Sequence, residues 1–307
     1  EATTFHVNRL RGIGKLKAPL WPPRRAPGYF KGADTDWTYA DGRLGDPSLR
    51  RPLDDEPQYR CGLDGLTRTA YAPRLSDVKA VHEIQPHVVL KTAVALFNMR
   101  RTGTDAALFA NVEAGRAWPF IGDWTTHDTR SALPNPLSIA GPMFQVVLNR
   151  VGVRDEREKV LALLNRMQEE QTLLSRYCQA PMLEIQKALG PEDAEVMRDA
   201  MVRQGYNWAP GVQSGGAASA TDEKQPVLMK FERKAYDDIG LAWTCGLWDR
   251  ETFYVNASYD DCQLSKAEAN EAIGEVLCAA LWLSNPSNLG RCVGECAFEG
   301  IEVSGLI

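Results

Sequence analysis

Apolar residues fall into helical spacing soon after the middle of the first third of the chain. Past Pro86, the stretch 88–98 places Val89, Ala93, Leu96 and Phe97 three and four residues apart, which turns one helix face inward, and Gly103 marks the stop. Asp155 opens the clearest amphipathic pattern. Val160, Leu163, Leu164, Met167 and Leu174 share one face, and Glu156, Glu158, Glu169 and Glu170 share the other. Two shorter helices are predicted over 181–189 and 191–204. Ser265 with Glu268 three residues later forms a capping box, and Ala272, Val276, Leu277, Ala280 and Leu281 supply the buried stripe of the helix it opens.

Strand-like apolar runs occupy 107–112 and 144–153, and three more follow at 227–232, 241–249 and 252–259. A short polar turn separates the last two, so they are expected to pair as a hairpin. Residues 213–225, with Gly215, Gly216, Ala217, Ala218 and Ser219, lack bulky side chains and read as a flexible loop. Residues 1–60 combine Pro19, Pro22, Pro23 and Pro27 with Arg24, Arg25, Arg50 and Arg51 and show no sustained period, so an irregular connecting segment is expected there. Residues 61–307 then form the folded unit. Helices alternating with strands that end in a hairpin predict a layered α/β (α+β) fold, with a mixed sheet covered by helices and largely antiparallel at its end.

Composition narrows the classes. The chain has 307 residues, is 44% hydrophobic and 24% charged, and carries a net charge of −5, the profile of an ordinary globular protein. No lysine and arginine cluster is interleaved with aromatics, which argues against nucleic acid as a partner. No run reaches the roughly eighteen apolar residues of a membrane span, and the first residues lack a signal-peptide layout. Seven cysteines (61, 178, 245, 262, 278, 292 and 296) form an odd, scattered set that suits reduced thiols and a cytoplasmic location. The chain starts at Glu1, from which a processed or excised chain is expected.

Three stretches carry a family resemblance. Val88 to Leu96, followed by Arg101-Thr102-Gly103-Thr104-Asp105, Phe109 and Gly115-Arg116, resembles a helix and strand that end in a Ser-Gly-Arg turn, with Ala114 in place of the serine. Gly141-Pro142-Met143-Phe144-Gln145-Val146-Val147-Leu148-Asn149-Arg150-Val151 is similar to a Gly-Pro-Phe-x-Asn-x-x-Pro-x-Arg-Val motif, with Gln145 and Asn149 departing from it. Tyr177, then Ala180-Pro181-Met182-Leu183-Glu184-Ile185-Gln186, is similar to His-x-x-x-Pro-Leu-x-Glu-Ile-Gln, with Tyr177 where histidine is frequent. In order and spacing these resemble the C-terminal lobe of the condensation domains of fungal nonribosomal peptide synthetases, in the chloramphenicol acetyltransferase-like superfamily. The resemblance covers about 75–190 and extends to about 285.

The resemblance implies attack of an amine, or a hydroxyl, on a thioester held by the phosphopantetheine of a carrier protein; this cofactor belongs to the carrier, and none is expected on the chain. It also implies a His-His-x-x-x-Asp-Gly motif from an N-terminal lobe, because a base or orienting histidine must reach the nucleophile. None of His6, His82, His87 and His127 has that context. The catalytic histidine is therefore expected from an N-terminal lobe, on the same or a separate chain, unless this is a degenerate relative. Arg116 is the orienting candidate, since arginine offers a fixed charge to a carboxylate. Gly141, Met143, Gln145 and Tyr177 are candidates for orienting groups or the lining of a substrate passage.

Other constellations are weaker. His127 with Asp123 and Asp128 is too small a set for a metal. Gly12-Ile13-Gly14 lacks the strand a nucleotide loop needs, no Gly-x-Ser-x-Gly elbow occurs, and Cys292 and Cys296 have no second pair. Trp118, Trp124, Trp243 and Trp248 suit a core or a hydrophobic tunnel. Beside the acyltransferase stand a noncatalytic carrier-docking or scaffold protein and a cyclase using other residues, such as Tyr177 or Asp260.

Overall fold

A buried helix at the centre organises the layers. The computed structural model describes residues 1–16, 20–23, 66–114, 144–209, 239–259 and 264–300. Helix α3 (Pro86–Thr102) begins with proline at its first turn and ends on Gly103 at φ +66°, a left-handed conformation that glycine adopts without a Cβ clash. It is buried from Pro86 to Met99 apart from His87, as a helix covered by neighbours on every side must be.

The remaining described α-helices and strands are α1 (Ala2–Leu10), β1 (Leu66–Tyr71), α2 (Leu75–His82), β2 (Ala106–Ala114), β3 (Phe144–Gly152), α4 (Val160–Tyr177), α5 (Met182–Ala188), α6 (Pro191–Arg203), β4 (Gln204–Trp208), β5 (Leu241–Leu247), β6 (Thr252–Tyr259) and α7 (Lys266–Leu283). The strands form one six-stranded sheet in the order β1-β6-β5-β4-β2-β3. The pairs β1–β6, β6–β5 and β2–β3 are antiparallel, whereas β5–β4 and β4–β2 are parallel. The mixed layered α/β fold, the hairpin of β5 and β6, and the Ser265–Glu268 capping box that opens α7 all match expectation.

Three local readings differ. Residues 2–10, inside the segment expected to be irregular, form α1, which buries His6, Val7 and Leu10 on one side; the proline-rich run that follows hid this short period. Helix α4 starts at Val160 rather than Asp155, because the Asp155 carboxylate and carbonyl accept the Arg157 and Glu158 N–H groups in a turn. The strands β1 and β4 were not anticipated. The expected loop at 213–225 and the strand at 227–232 lie outside the described residues.

The sheet has two unlike faces. On one, Ala70, Phe253, Val255, Ala257, Trp243 and Cys245 join α3 and α7 in the main core. On the other, Leu108 and Leu148 of β2 and β3 meet Val7, Leu10, Ile185 and Met197 from α1, α5 and α6. That second helical layer covers the β2–β3 half of its face. The helices packed on β1, β5 and β6 are α3 and α7, and both lie on the core side. Among the described residues no helix is long and apolar enough to cross a membrane.

Candidate functional site

Strand alternation sends every second residue of β1, β6 and β5 to the face opposite the core, and the register aligns them in rows. Tyr71 and Thr252 form the first row, joined by Trp248, whose N–H donates to the Thr252 carbonyl at 2.8 Å. Thr69, Tyr254 and Gly246 make the second, and Thr67, Asn256 and Thr244 the third. Ser258 and Ala242 continue the pattern. Not one of these side chains is a carboxylate, ammonium, guanidinium or imidazole, in a chain that is 24% charged.

Polar groups link the rows. Asn256 Nδ2 donates to Thr67 Oγ1 at 2.8 Å, and the Ser258 hydroxyl donates to Asn256 Oδ1 at 3.5 Å. The Tyr254 hydroxyl donates to the Ala209 carbonyl at 2.8 Å. Its ring lies against Gly246, where a Cβ would come within 2.5 Å of Tyr254 Cε1 and 2.7 Å of the Ala209 oxygen. At the rim, Tyr71 is 62% and Trp248 38% exposed. Glu251 accepts the Tyr71 and Ser76 hydroxyls, and Asp249 accepts the Glu251 N–H and the Thr252 hydroxyl. This face is therefore neutral, rich in hydroxyl and amide groups, and aromatic at one end. Sequence reading missed it because β1 was not recognised and polar alternation was not taken as a surface; Thr67-x-Thr69 and Thr252-x-Tyr254-x-Asn256-x-Ser258 were the available signal.

A buried charge cluster stands near the carboxyl end of β2. Lys91 is 1% and Glu113 6% exposed, and Lys91 Nζ lies 3.8 Å from Glu113 Oε1. Gln171 Nε2 donates to both Glu113 oxygens at 2.8 and 3.0 Å, the Ser175 hydroxyl donates at 2.9 Å, and Asn111 Nδ2 completes the set. Gln171 Oε1 accepts from Lys91. Burial pushes the Lys91 ammonium down to about 8, and Glu113 opposes the shift. The groups satisfy one another, as a buried ion pair requires, so the cluster holds α3, α4 and β2 together.

Two of the described histidines, His6 and His87, are made poor proton acceptors by burial. Burial, with the Lys91 charge adding to it, lowers His87 to about 4, and its ring stands 5.8 Å from that of Trp208. Burial also lowers His6 to about 4 against the opposing bond between its Nε2 and the Tyr177 carbonyl, 3.0 Å long. His82 lines an open cleft with Lys79, Glu83, Asn165 and Glu169. His127, Asp123 and Asp128 lie outside the described residues, as do Trp118 and Trp124.

Of the residues singled out by sequence, Arg116, Gly141 and Met143 lie outside the described residues. Gln145 is exposed on the β3 edge, directly opposite Glu113. Tyr177 ends α4, where its hydroxyl donates to Glu1 at 2.9 Å, its ring centroid lies 4.9 Å from that of Phe5, and the Glu1 bond raises its hydroxyl above the ordinary range. Gln145 and Tyr177 thus engage different neighbours. Trp243 is core and Trp248 is surface. Cys292 accepts from Lys159 Nζ at 3.4 Å, and burial pushes the Cys296 thiol to about 12.

No protein-family model matches the chain, and no curated protein matches it. Solved structures do. The complex of the X-domain and OxyB from teicoplanin biosynthesis is similar at 14% identity and a TM-score of 0.59, over 98% of this chain and 56% of that one. The first condensation domain of the CDA synthetase is similar at 12% identity and a TM-score of 0.50, over 76% of this chain and 48% of that one. A holo T3CT structure gives 16%, 0.53, 73% and 46% for the same quantities. The chain spans about half the length of the structures it matches. At these identities the likeness shows the fold alone, a condensation-domain-like mixed α/β arrangement.

Proposed function

We propose that this chain is the C-terminal lobe of a condensation-type acyltransferase of fungal secondary metabolism, which works with a histidine-bearing N-terminal lobe. The observation that carries this reading is the extent of the likeness: it runs over 76% of this chain but 48% of the condensation domain, as a single lobe of that domain would. The chain supplies a wall and orienting groups, and the base comes from the other lobe, because no His-His-x-x-x-Asp-Gly motif occurs here and burial makes His6 and His87 weak proton acceptors. The acyl group arrives as a thioester on the phosphopantetheine of a carrier protein, and an amine or hydroxyl attacks it. Gln145, with Arg116, Gly141 and Met143, belongs to the passage in this reading.

The test is transfer from a thioester-loaded carrier protein to an amine, measured with the purified chain alone and together with a lobe bearing the His-His-x-x-x-Asp-Gly motif, while native mass spectrometry records assembly. Turnover in the assembly and none with the chain alone is expected. Turnover by the chain alone would sink the reading and leave a cyclase using its own residues.

A noncatalytic docking role is the second reading. Its support is that the likeness to the X-domain, solved in complex with OxyB, runs over 98% of this chain, against 76% for the condensation domain. A partner that stays bound without turnover in the same experiment selects it.

A further inference from the structure

We propose that Cys292 and Lys159 form a peroxide-sensitive pair that closes into a sulfur–nitrogen bond, a covalent clasp between the start of α4 and the segment after α7. This modification site lies outside the acyltransferase reading and does not depend on it. The backbone sets the two side chains against each other. Lys159 and Cys292 face one another in an isolated antiparallel bridge, framed by the Val160 N–H donating to the Arg291 carbonyl at 3.1 Å and the Val293 N–H donating to the Glu158 carbonyl at 2.8 Å. Flanking bonds of this kind make Lys159 and Cys292 a non-hydrogen-bonded pair, the kind whose side chains stand closest. Lys159 Nζ accordingly lies 3.4 Å from Cys292 Sγ, across 133 positions of sequence, a separation from which two groups react without further approach.

The pair is also within reach of solvent. Lys159 is exposed and Cys292 half-buried. Among the other described thiols, Cys178, Cys245 and Cys278 are buried, and burial pushes Cys296 up to about 12, so of these five Cys292 is the one a small oxidant meets first. The neighbouring Glu295 carboxylate accepts the Cys292 N–H at 2.9 Å and the Arg291 guanidinium at 2.7 and 3.0 Å, which holds it beside the pair. The chemistry has two steps. The Cys292 sulfur attacks one oxygen of a peroxide; the O–O bond breaks, the thiol proton leaves with the other oxygen as water, and the sulfur, oxidised by two electrons, carries a hydroxyl as a sulfenic acid. Lys159 gives one proton to solvent and its nitrogen attacks that sulfur; the S–O bond breaks, and the hydroxyl leaves as water with a second proton from the nitrogen. The peroxide is the electron acceptor, and a thiol reductant reverses the link.

The test treats the full chain with hydrogen peroxide at neutral and mildly alkaline pH, digests it without reductant and reads the peptides by mass spectrometry. A linked species is expected that joins the Lys159 and Cys292 peptides and is lighter than their sum by two hydrogens. Its yield should rise with pH, since an amine attacks only after losing its proton, and dithiothreitol should abolish it. Lys159→Arg keeps the charge without an amine that condenses, so it should lose the linked species and leave a Cys292 sulfenic acid that dimedone captures; Cys292→Ser should lose both. Because the bond closes a long loop, the oxidised full chain should unfold at least about 3 °C higher than the reduced one, and neither variant should show that rise. Oxidation of Cys292 to a disulfide with Cys296 or to a sulfinic acid, with no link to Lys159, overturns the proposal. So does the same linked mass persisting in Lys159→Arg.

Discussion

Glu113 shows what a single buried charge demands. Its oxygens receive Gln171, Ser175 and Asn111, with Lys91 beside them, so removing one member strands the rest. Lys91→Met is expected to lower stability by roughly 3 kcal/mol, read as an earlier urea midpoint, and pairing it with Glu113→Gln should recover part of that loss. The histidines set the acid limit. His6 and His87 hold fewer protons in the fold than in the unfolded chain between about pH 4 and 6.5, because burial depresses both. Stability should therefore be unaffected by them above pH 6.5 and fall as pH drops toward 4. Urea midpoints across that range should show the slope, and His87→Gln should flatten it. Lys91 acts on the alkaline side: its folded value of about 8 lies below the unfolded one, so its contribution rises from pH 8 toward 10.5.

At the scale of elements, the capping box of α7 gives a bounded prediction: Ser265→Ala removes the acceptor of the Glu268 N–H, 3.2 Å away, and should cost about 1 kcal/mol in thermal unfolding. Gly246→Ala is expected to cost more, roughly 1–3 kcal/mol, because the new Cβ would meet Tyr254 and the Ala209 carbonyl. The helices α3, α4 and α7 and the strands β2, β3, β5 and β6 were legible because their apolar periods are long or their caps explicit. The short β4 was not, because Gln204, Asn207 and Gly205 carry little strand character. Gln204 is buried through a reciprocal amide pair with Asn98 of α3, at 2.6 and 3.0 Å, a contact between residues 106 positions apart that no local pattern announces. The uncharged rows were equally illegible, since they exist only once β1 meets β6 and β6 meets β5. The buried cluster escaped for the same reason: Lys91 and Glu113 look like solvated charges until the fold closes over them.

For the whole molecule, helix α1 has a consequence beyond the helical layer it joins. Arg9 donates to the Leu148 carbonyl of β3 and pairs with Glu170 of α4 at 3.1 Å, while Arg150 of β3 donates to the Arg9 and Arg11 carbonyls. β3 has β2 on one side and no further strand among the described residues on the other. A bare outermost strand is a template for another chain, and here a guanidinium occupies part of that template while Val7 and Leu10 cover the apolar surface beside it. The first ten residues are thus expected to limit pairing of this edge with another chain. A chain starting at residue 11 should form concentration-dependent oligomers in light scattering where the full chain does not, and Arg9→Ala should move the full chain in the same direction.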